Sequence, residues 1–429
     1  MESDSLQARF FTKEEEFSLP EDPVSLELDV TPEQLSLLIN ELLGRQGDTS
    51  VDFGFLIRDN IVHSTLREHL QEHEISAETL VEIEYIEKCP SPEPVDSLLH
   101  EDWVSGIHCA TVGSRQLILS GSYDSSVTVW SVSGKKLISL SGHAGPVKAV
   151  RWVHSDERYA SFVSTSHDET AKLWLWDHQK NQIESVITCK GHQRSVDCVD
   201  VDLSNNRFAT AGFDNVVKIW STSTEATELD LKKDSEPKKS KLEQRLLTRT
   251  PLVSLANHTE AVTGLRFTTP SEMITCAMDC TMKVWDIAVG GFTNNLLGSK
   301  PFLDLSYSAL NNLVLSANAD RHVRLWDTRS KEGSVVKSNF TSHTGWVSSV
   351  CWSPSIENQF ISASYDNILK LWDLRSAKAP LYDMEGHEDK ILCCDWSLEE
   401  LMVSGAADNK LKIFRHANPT SKSKPLGSS

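Results

Sequence analysis

Short segments of the first 90 residues alternate apolar with polar positions. QARFFT (7–12), VSLEL (24–28) and VDFGFLI (51–57) follow this pattern, and so does VEIEY (81–85), in which Glu82 and Glu84 separate Val81, Ile83 and Tyr85. A period of two is typical of strands with one face in a core, so these segments predict four strands.

The segment between the second and third of these strands has a helical pattern of apolar positions. Thr31 and Gln34 have capping-box spacing, with Pro32 at the first helical position. An apolar face then recurs every three or four residues, formed by Leu35, Leu38, Ile39 and Leu42. Gly44 predicts the end of this helix, and TLREHLQEH predicts a second, short one. The order of elements in residues 1–90 resembles the α+β ubiquitin-like (β-grasp) fold, which is nearly always a docking module.

From about residue 91 the chain repeats itself. Seven times an Asp precedes an aromatic residue by six positions, and the steps between successive Asp residues are 44, 46, 65, 41, 46 and 42. This is the period of WD40 repeats, with an insertion in the long step. The pairs are Asp124/Trp130, Asp168/Trp174, Asp214/Trp220, Asp279/Trp285, Asp320/Trp326, Asp366/Trp372 and Asp408/Phe414.

A histidine lies 21–25 residues before six of these aspartates, and the fifth repeat offers Lys300 instead. We predict a buried relay in each blade, in which His contacts the turn Asp and a Ser or Thr that reaches the indole N–H. Because the set recurs once per repeat, we interpret it as structural and not as a hydrolase site. The histidines are His100, His143, His192, His258, His343 and His387.

The strand count predicts how the ring closes. Each blade needs four strands, but only a polar tail, residues 417–429, follows the last repeat, and we expect it to be flexible. Residues 94–99 lie where every other blade keeps its outer strand, so they are predicted to complete blade seven. The fold predicted for residues 91–416 is therefore a closed seven-bladed WD40 β-propeller, and the chain as a whole is mainly β.

The insertion, residues 222–250, is rich in Ser, Glu, Lys and Thr, which predicts a disordered charged loop. Its lysines are equally compatible with a nuclear-import signal and with a merely soluble loop. The signal would consist of Lys232, Lys233, Lys238, Lys239 and Lys241.

Charge divides the chain unevenly. Residues 1–90 contain 21 Asp and Glu against 6 Lys and Arg, and so carry −15 of the formal net charge of −19. This asymmetry suggests two domains with different partners, the first of which will not bind nucleic acid directly. Nine scattered cysteines without a C-x-x-C pair predict reduced thiols. No signal peptide or membrane span is expected, and the overall acid surplus favours protein contacts while direct RNA contact stays open.

Five aromatic residues have no place in the relays. Trp103 and Trp346 follow their relay histidines by three residues, and Tyr123, Phe213 and Tyr365 directly precede a turn Asp. Propellers bind partners through the loops around the channel, where large aromatic side chains serve as anchors, so these five are candidate partner contacts.

An acidic ubiquitin-like domain ahead of a WD40 propeller resembles the Notchless-like family of ribosome assembly factors. The phrases RFFT, LLTRTP, SHTGWVSSV, SYDNILKLWD, KAPLYD, HEDK and ADNKL carry the resemblance along the whole chain. It implies a non-enzymatic scaffold of the nucleolus and nucleoplasm that acts in biogenesis of the large (60S) subunit. It implies a complex with the pescadillo and block-of-proliferation proteins, which pre-60S particles need for maturation of large-subunit rRNAs.

The resemblance also implies a role for Glu78 in ISAETL, just before the last strand of the first domain. In the family a glutamate at this place binds the metal-dependent adhesion site of the AAA ATPase midasin, which releases the complex from the particle. The chain would need no cofactor or metal of its own, because the partner supplies the divalent cation. The Glu78 carboxylate would complete the coordination of that cation.

Three other interpretations compete. An enzyme would need His, Asp or Glu outside the relays, and no such cluster stands out. A WD-repeat substrate receptor or adaptor of the ubiquitin pathway would also combine these two folds, although no diglycine ends the first domain. Notchless itself should have eight blades, whereas the sequence predicts seven.

Overall fold

The computed structural model describes residues 5–20, 22–45, 47–58, 60–76, 79–88, 90–223, 246–329 and 336–416. These residues form two compact units, one built from residues 1–91 and 372–381 and the other from residues 92–371 and 382–416. Among the described residues, no helix combines the length and the apolar character that crossing a bilayer requires.

The amino-terminal unit is a five-stranded sheet with two helices. Its strands have the order β2-β1-β5-β3-β4, with β1 parallel to β5 and the other neighbours antiparallel. The elements are β1 (Ser5–Phe11), β2 (Val24–Glu27), α1 (Pro32–Leu42), β3 (Phe53–Ile57), β4 (Asn60–Ile61), α2 (Leu66–Glu72) and β5 (Val81–Glu87). The predicted helices and strands are all present, and β4 is a two-residue strand that the alternation does not indicate.

The core of this unit lies between α1 and the sheet. Leu35 and Ile39 of α1 are fully buried in the same cluster as Phe10, Phe55 and Tyr85 of the strands. The side-chain Oε1 of Gln34 accepts a hydrogen bond from the N–H of Thr31 at 3.0 Å, so the predicted helix start is confirmed.

The acidic strand β5 departs from simple alternation. Glu82 is exposed and its carboxylate lies 3.6 Å from Arg9, but Glu84 is only 6% exposed. The ammonium of Lys13 lies 3.0 Å from Oε1 of Glu84 and compensates this buried charge. The alternation in VEIEY, which predicts both glutamates on the solvent face, therefore holds for Glu82 and fails for Glu84.

The second unit is a ring of seven sheets, as predicted. Blade one contains β7 (Val104–Val112), β8 (Arg115–Ser122), β9 (Ser126–Ser131) and β10 (Lys136–Ser141), counted outward from the channel. Blade two contains β11 (Val147–Ser155), β12 (Tyr159–Ser166), β13 (Thr170–Asp177) and β14 (Gln182–Lys190), and blade three contains β15 (Val196–Val201), β16 (Arg207–Gly212), β17 (Val216–Ser221) and β19 (Val253–Ala256). Blade four contains β20 (Val262–Thr269), β21 (Glu272–Ala277), β22 (Thr281–Asp286) and β23 (Gly291–Leu297).

The remaining blades complete the ring. Blade five contains β24 (Phe302–Ser308), β25 (Leu313–Asn318), β26 (Val323–Trp326) and β27 (Val336–Phe340), and blade six contains β28 (Val347–Trp352), β29 (Gln359–Ser364), β30 (Leu369–Asp373) and β31 (Tyr382–Met384). Blade seven contains β32 (Ile391–Leu398), β33 (Leu401–Ala406), β34 (Lys410–Arg415) and β6 (Glu93–Leu99). The antiparallel pairing of β34 with β6 joins the two ends of the ring, in the way that the strand count predicts.

Side chains of the innermost strands connect neighbouring blades around the channel. Each accepts a hydrogen bond from a backbone N–H of the next blade. His108 Nδ1 accepts from Trp152 at 3.0 Å, Asp200 Oδ2 from Phe267 at 2.9 Å, and Asp395 Oδ2 from Cys109 at 2.8 Å. Because the last of these bonds runs from blade one back to blade seven, it adds to the closure made by β6.

The end of the predicted insertion is a strand. Residues 246–249 form β18 (Leu246–Arg249), a fifth strand that pairs in parallel with β14 of blade two. Arg249 is buried, and its guanidinium donates to the carbonyl of Ser221 at 2.7 Å. The assignment of residues 246–250 to a disordered loop is therefore wrong, because the chain returns to the neighbouring blade before it starts β19.

The predicted relay is complete in blades two, three and four. In each, His Nδ1 bonds the turn Asp at 2.7–3.0 Å, His Nε2 bonds a Ser or Thr at 2.7–2.8 Å, and the same hydroxyl accepts the indole N–H at 2.8–2.9 Å. The sets are His143–Asp168–Ser164–Trp174, His192–Asp214–Thr210–Trp220 and His258–Asp279–Thr275–Trp285. In blades six and seven, His343 bonds Asp366 and Ser362 and His387 bonds Asp408 and Ser404, while Trp372 and Phe414 are buried at the aromatic position.

Blade one keeps only half of the relay. His100 Nε2 bonds Ser120, which also accepts the indole N–H of Trp130, but Nδ1 of His100 is buried without a hydrogen bond. Asp124 instead accepts the backbone N–H of Ser126. Burial lowers the pKa of His100 to about 4, so its ring is neutral at physiological pH. The predicted contact of His100 with Asp124 is therefore wrong.

Blade five replaces the relay altogether. Every relay histidine precedes its innermost strand by four residues, and in blade five that position is Gly298, not Lys300. A side chain at Gly298 would start 2.5 Å from the ring of Phe302, so no imidazole fits there. The Ser316 hydroxyl, which accepts the indole N–H of Trp326, bonds Asn318 instead, and Asp320 pairs with the guanidinium of Arg324.

Candidate interaction face of the propeller

One backbone hydrogen bond recurs at the same end of all seven blades. The residue before the turn Asp donates its N–H to the carbonyl of the residue that directly precedes the innermost strand, at 2.9–3.1 Å. These pairs are Tyr123–Trp103, His167–Pro146, Phe213–Ser195, Met278–Ala261, Ala319–Pro301, Tyr365–Trp346 and Ala407–Lys390. We call these positions the rim. They include all five aromatic residues that the sequence marks as candidate partner contacts.

Two pairs of these aromatic side chains are in contact. The rings of Trp103 and Tyr123 in blade one lie 5.3 Å apart, and those of Trp346 and Tyr365 in blade six are stacked with centroids 6.1 Å apart. Trp346 is 52% exposed, Phe213 42% and Tyr365 40%. None of the five lies in the buried core, so packing inside the blades does not account for their size.

Two lysines that sequence reasoning misses lie over these rings. The ammonium of Lys390 is 4.6 Å from the ring centroid of Trp103 and 5.5 Å from that of Tyr365, so it connects blades one, seven and six. The ammonium of Lys148 donates to the hydroxyl of Tyr123 at 2.8 Å. Lys390 could have been found, because it follows its relay histidine by three residues, as the two rim tryptophans do.

Lys148 stays charged at the mouth of the channel. Burial alone lowers its pKa, but the nearby carboxylate of Asp197 and the Tyr123 phenol outweigh burial and raise it. The rim thus presents aromatic surface held in place by fixed positive charges, each of which forms a favourable cation–π contact with a ring.

The channel behind the rim is lined by the innermost strands and has a volume of about 860 Å³. Its charged side chains are matched to one another: Arg151 Nε lies 2.8 Å from Asp200, and Arg266 lies 3.7 Å from Asp304. Burial raises the pKa of the Cys351 thiol to about 12, which keeps it protonated and unreactive. These contacts connect blades, so the channel wall is structural.

The described residues account for the candidate metal-binding and hydrolase side chains. They contain no group of three or more His, Cys, Asp or Glu side chains arranged to hold a metal ion. The eight cysteines in the described part of the chain are free thiols, in agreement with the prediction from their spacing. The histidines and aspartates that suggest a hydrolase are used by the relays.

Two predicted sites fall outside the described residues. Glu78 is one of them; it belongs to the connection between α2, which ends at Glu72, and β5, which begins at Val81. The five lysines of the predicted import signal lie within residues 224–245, which are also not described.

Comparison with known proteins identifies both units. Residues 6–70 match the NLE (NUC135) domain family, and seven segments between residues 93 and 415 match the WD domain, G-beta repeat family. The seven matches agree with the seven blades of the structure.

Full-length relatives have the same organisation. The chain is 50% identical over 427 residues to the ribosome biogenesis protein WDR12 homolog of Ixodes scapularis, which covers 97% of this chain and 99% of the relative. It is 42% identical to the homolog of Aedes aegypti and 41% identical to that of Culex quinquefasciatus, each over 96% of this chain and 95% of the relative. With both domains matched and identity sustained from end to end, the chain belongs to the WDR12 family of ribosome biogenesis proteins.

Proposed function

We propose that this chain is a non-enzymatic scaffold for biogenesis of the large ribosomal subunit, in a complex with the pescadillo and block-of-proliferation proteins. The observation that carries the proposal is the rim, where aromatic residues from distant repeats converge without serving the relays. Trp and Tyr are the side chains most often found as energetic anchors of protein interfaces. The names of the relatives supply the process, and the family resemblance supplies the partners.

The rim suits a stable contact for a second reason. Trp103 and Tyr365 are held by Lys390, and Tyr123 is held by Lys148, so little side-chain freedom is left to lose on binding. A pre-ordered surface binds more tightly than a mobile one with the same contacts, because ordering a side chain costs about 0.5–1.5 kcal/mol.

Alanine variants test this contact. Trp103→Ala, Phe213→Ala and Trp346→Ala are each expressed as full chains and co-purified with pescadillo and block-of-proliferation proteins after nuclease treatment. We expect at least one to weaken the complex by tenfold or more, which is about 1.4 kcal/mol. An unchanged thermal unfolding temperature shows that the propeller remains folded. Equal recovery of both partners by all three variants would show that the rim does not contact these partners.

For the amino-terminal domain we propose release from the pre-60S particle through midasin. The Glu78 carboxylate would complete the coordination of a divalent cation in the adhesion site of midasin. The surplus of carboxylates in this domain would steer it toward that cation and slow its binding at high salt. This chain contributes one oxygen ligand, and the cation belongs to the partner.

Glu78→Asp separates coordination from charge. The substitution keeps the carboxylate but retracts it by roughly 1.5 Å, one carbon–carbon bond. A magnesium–oxygen bond of about 2.1 Å tolerates little change of this kind. We expect both Glu78→Asp and Glu78→Ala to abolish magnesium-dependent binding to the midasin adhesion domain, whereas Glu82→Ala has a small effect that disappears at high salt. Binding that persists in chelator would contradict the proposal.

For the location we propose the nucleus, in the nucleolus and nucleoplasm, where large subunits are assembled. The lysines between 232 and 241 would act as the import signal.

A further inference from the structure

A separate cavity of about 660 Å³ opens on the rim between blades five and six. Its wall includes Lys300, Asp320, Arg321, Gly345, Trp346 and Tyr365. The cavity lies where the relay is replaced, so its composition follows from the departure of blade five from the other blades.

Blade five also places two positive charges at this cavity. In blades two, three, four, six and seven the turn Asp bonds a histidine ring, but in blade five Asp320 pairs with the guanidinium of Arg324. Lys300 and Arg321 are exposed, and neither forms an ion pair with any residue that the structure describes. Arg321 has φ of 71°, the left-handed conformation, at the third position of the turn.

The other wall is flat and aromatic. Trp346 and Tyr365 are stacked at an interplanar angle of 27°, and both are exposed. Gly345 permits this arrangement, because a Cβ at this position would lie 2.6 Å from the backbone nitrogen of Asp366. A larger residue would push the loop away from the turn and separate the two rings.

The backbone around the cavity is already paired. Ala319 N–H bonds the carbonyl of Pro301 at 3.1 Å, and Tyr365 N–H bonds that of Trp346 at 2.9 Å. The N–H of Thr344 bonds the carboxylate of Asp366. An extended peptide relies on such backbone groups for its own hydrogen bonds, and here they are occupied. The cavity therefore favours a ligand recognised by ring stacking and by negative charge.

We propose that this cavity binds single-stranded RNA, with a base stacked on the Trp346–Tyr365 pair and flanking phosphates at Lys300 and Arg321. Aromatic platforms bordered by cations are the usual means by which proteins hold single strands without sequence specificity. The inference rests on the proposed function in one respect only: a factor on pre-60S particles works next to exposed rRNA. It assigns the sector with Trp346 and Tyr365 to RNA, so that the protein contact of the rim is then carried by Trp103, Tyr123 and Phe213.

Purified full-length chain and a fluorescein-labelled oligouridylate test the proposal without any partner protein. We expect Trp346→Ala to weaken binding, measured by fluorescence anisotropy, by about 5- to 150-fold, the range for loss of one stacked base. We expect the double variant Lys300→Glu/Arg321→Glu to reduce the slope of log affinity against log salt by about 1.4, because each phosphate contact on a single strand contributes about 0.7.

Matched controls lie elsewhere on the same propeller. Phe292 is 43% exposed beside Lys283 on the outer strand of blade four, and Lys135 is exposed in blade one. Phe292→Ala and Lys135→Glu should leave oligouridylate binding unchanged. Ultraviolet cross-linking followed by mass spectrometry should place the RNA on Trp346 or Tyr365.

Two outcomes would overturn the proposal. One is equal binding of RNA by the wild type and both cavity variants. The other is displacement of RNA by polyglutamate together with full binding by Trp346→Ala, which would indicate a site for acidic peptides governed by charge alone. Neither outcome affects the complex with pescadillo and block-of-proliferation proteins, because that complex is measured after nuclease treatment.

Discussion

The relay of blade three provides a sensitive test of how the propeller is stabilised. Because the carboxylate of Asp214 can only accept, Nδ1–H of His192 donates to it at 2.7 Å, and in the neutral form of this ring Nε2 is an acceptor. The hydroxyl of Thr210 therefore donates to Nε2 at 2.8 Å and accepts the indole N–H of Trp220 at 2.8 Å. Replacing Thr210 with Val removes both bonds while keeping nearly the same shape.

The expected cost follows from burial. Thr210 and Trp220 are fully buried and His192 is 6% exposed, so water cannot replace the lost partner. One donor and one acceptor are left unsatisfied, each at about 1–3 kcal/mol, which predicts a loss of about 2–6 kcal/mol. This is a large share of the stability of a typical domain, about 5–15 kcal/mol. For a unit of this size it should lower the unfolding temperature by roughly 3–9 °C.

The assay is calorimetry of the full chain, supported by denaturant unfolding followed through tryptophan fluorescence. Thr165→Val is the matched control: Thr165 is equally buried, but its hydroxyl makes one long bond, 3.4 Å to the carbonyl of Ala149. Its loss should cost about 1 kcal/mol or less. If Thr210→Val unfolded at the same temperature as Thr165→Val, the relay would not be a stabilising network and the reasoning would be refuted.

Three further predictions follow from the structure. Burial raises the pKa of Asp214, but the interaction with His192 and the hydrogen bonds from the backbone N–H groups of Val216 and Gln193 together outweigh burial and hold the pKa below its usual 3.8. The stability that this carboxylate contributes is therefore present above pH 4 and lost as the pH falls below it. Asp214→Asn should be less stable at pH 7 and show a flatter acid unfolding profile. Leu98→Ala, in the strand that closes the ring, should lower the free energy of unfolding by about 2–5 kcal/mol in denaturant, because Leu98 is 5% exposed. Leu99→Ala should be neutral, because Leu99 is 71% exposed. Equal losses in the two variants would contradict the assigned register of this strand. Deleting residues 224–245 should leave the unfolding temperature unchanged and reduce the nuclear accumulation seen by fluorescence microscopy. Extending the deletion through residue 249 should also destabilise blade two, because it removes β18.

Features with local causes were predictable. The capping box of Thr31 depends on residues three positions apart, and the strands of both units follow their own alternation. The relays of blades two, three and four were predictable for a similar reason. Each joins residues of one blade, and the repeat spacing sets which side chains meet across neighbouring strands.

What the sequence determined by itself was thus the number of blades, the strand that closes the ring and the composition of most relays, since all of these follow from a repeated local pattern. Only the tertiary structure decided the rest. It buried Glu84 beside Lys13, placed β18 on a neighbouring blade, and put Gly298 and not Lys300 at the relay position. It also placed the ammonium of Lys390 over the rings of Trp103 and Tyr365 from two other blades. Each of these depends on side chains far apart in the chain, whose meeting is governed by packing and charge neutralisation in the closed ring, and no local period records such contacts.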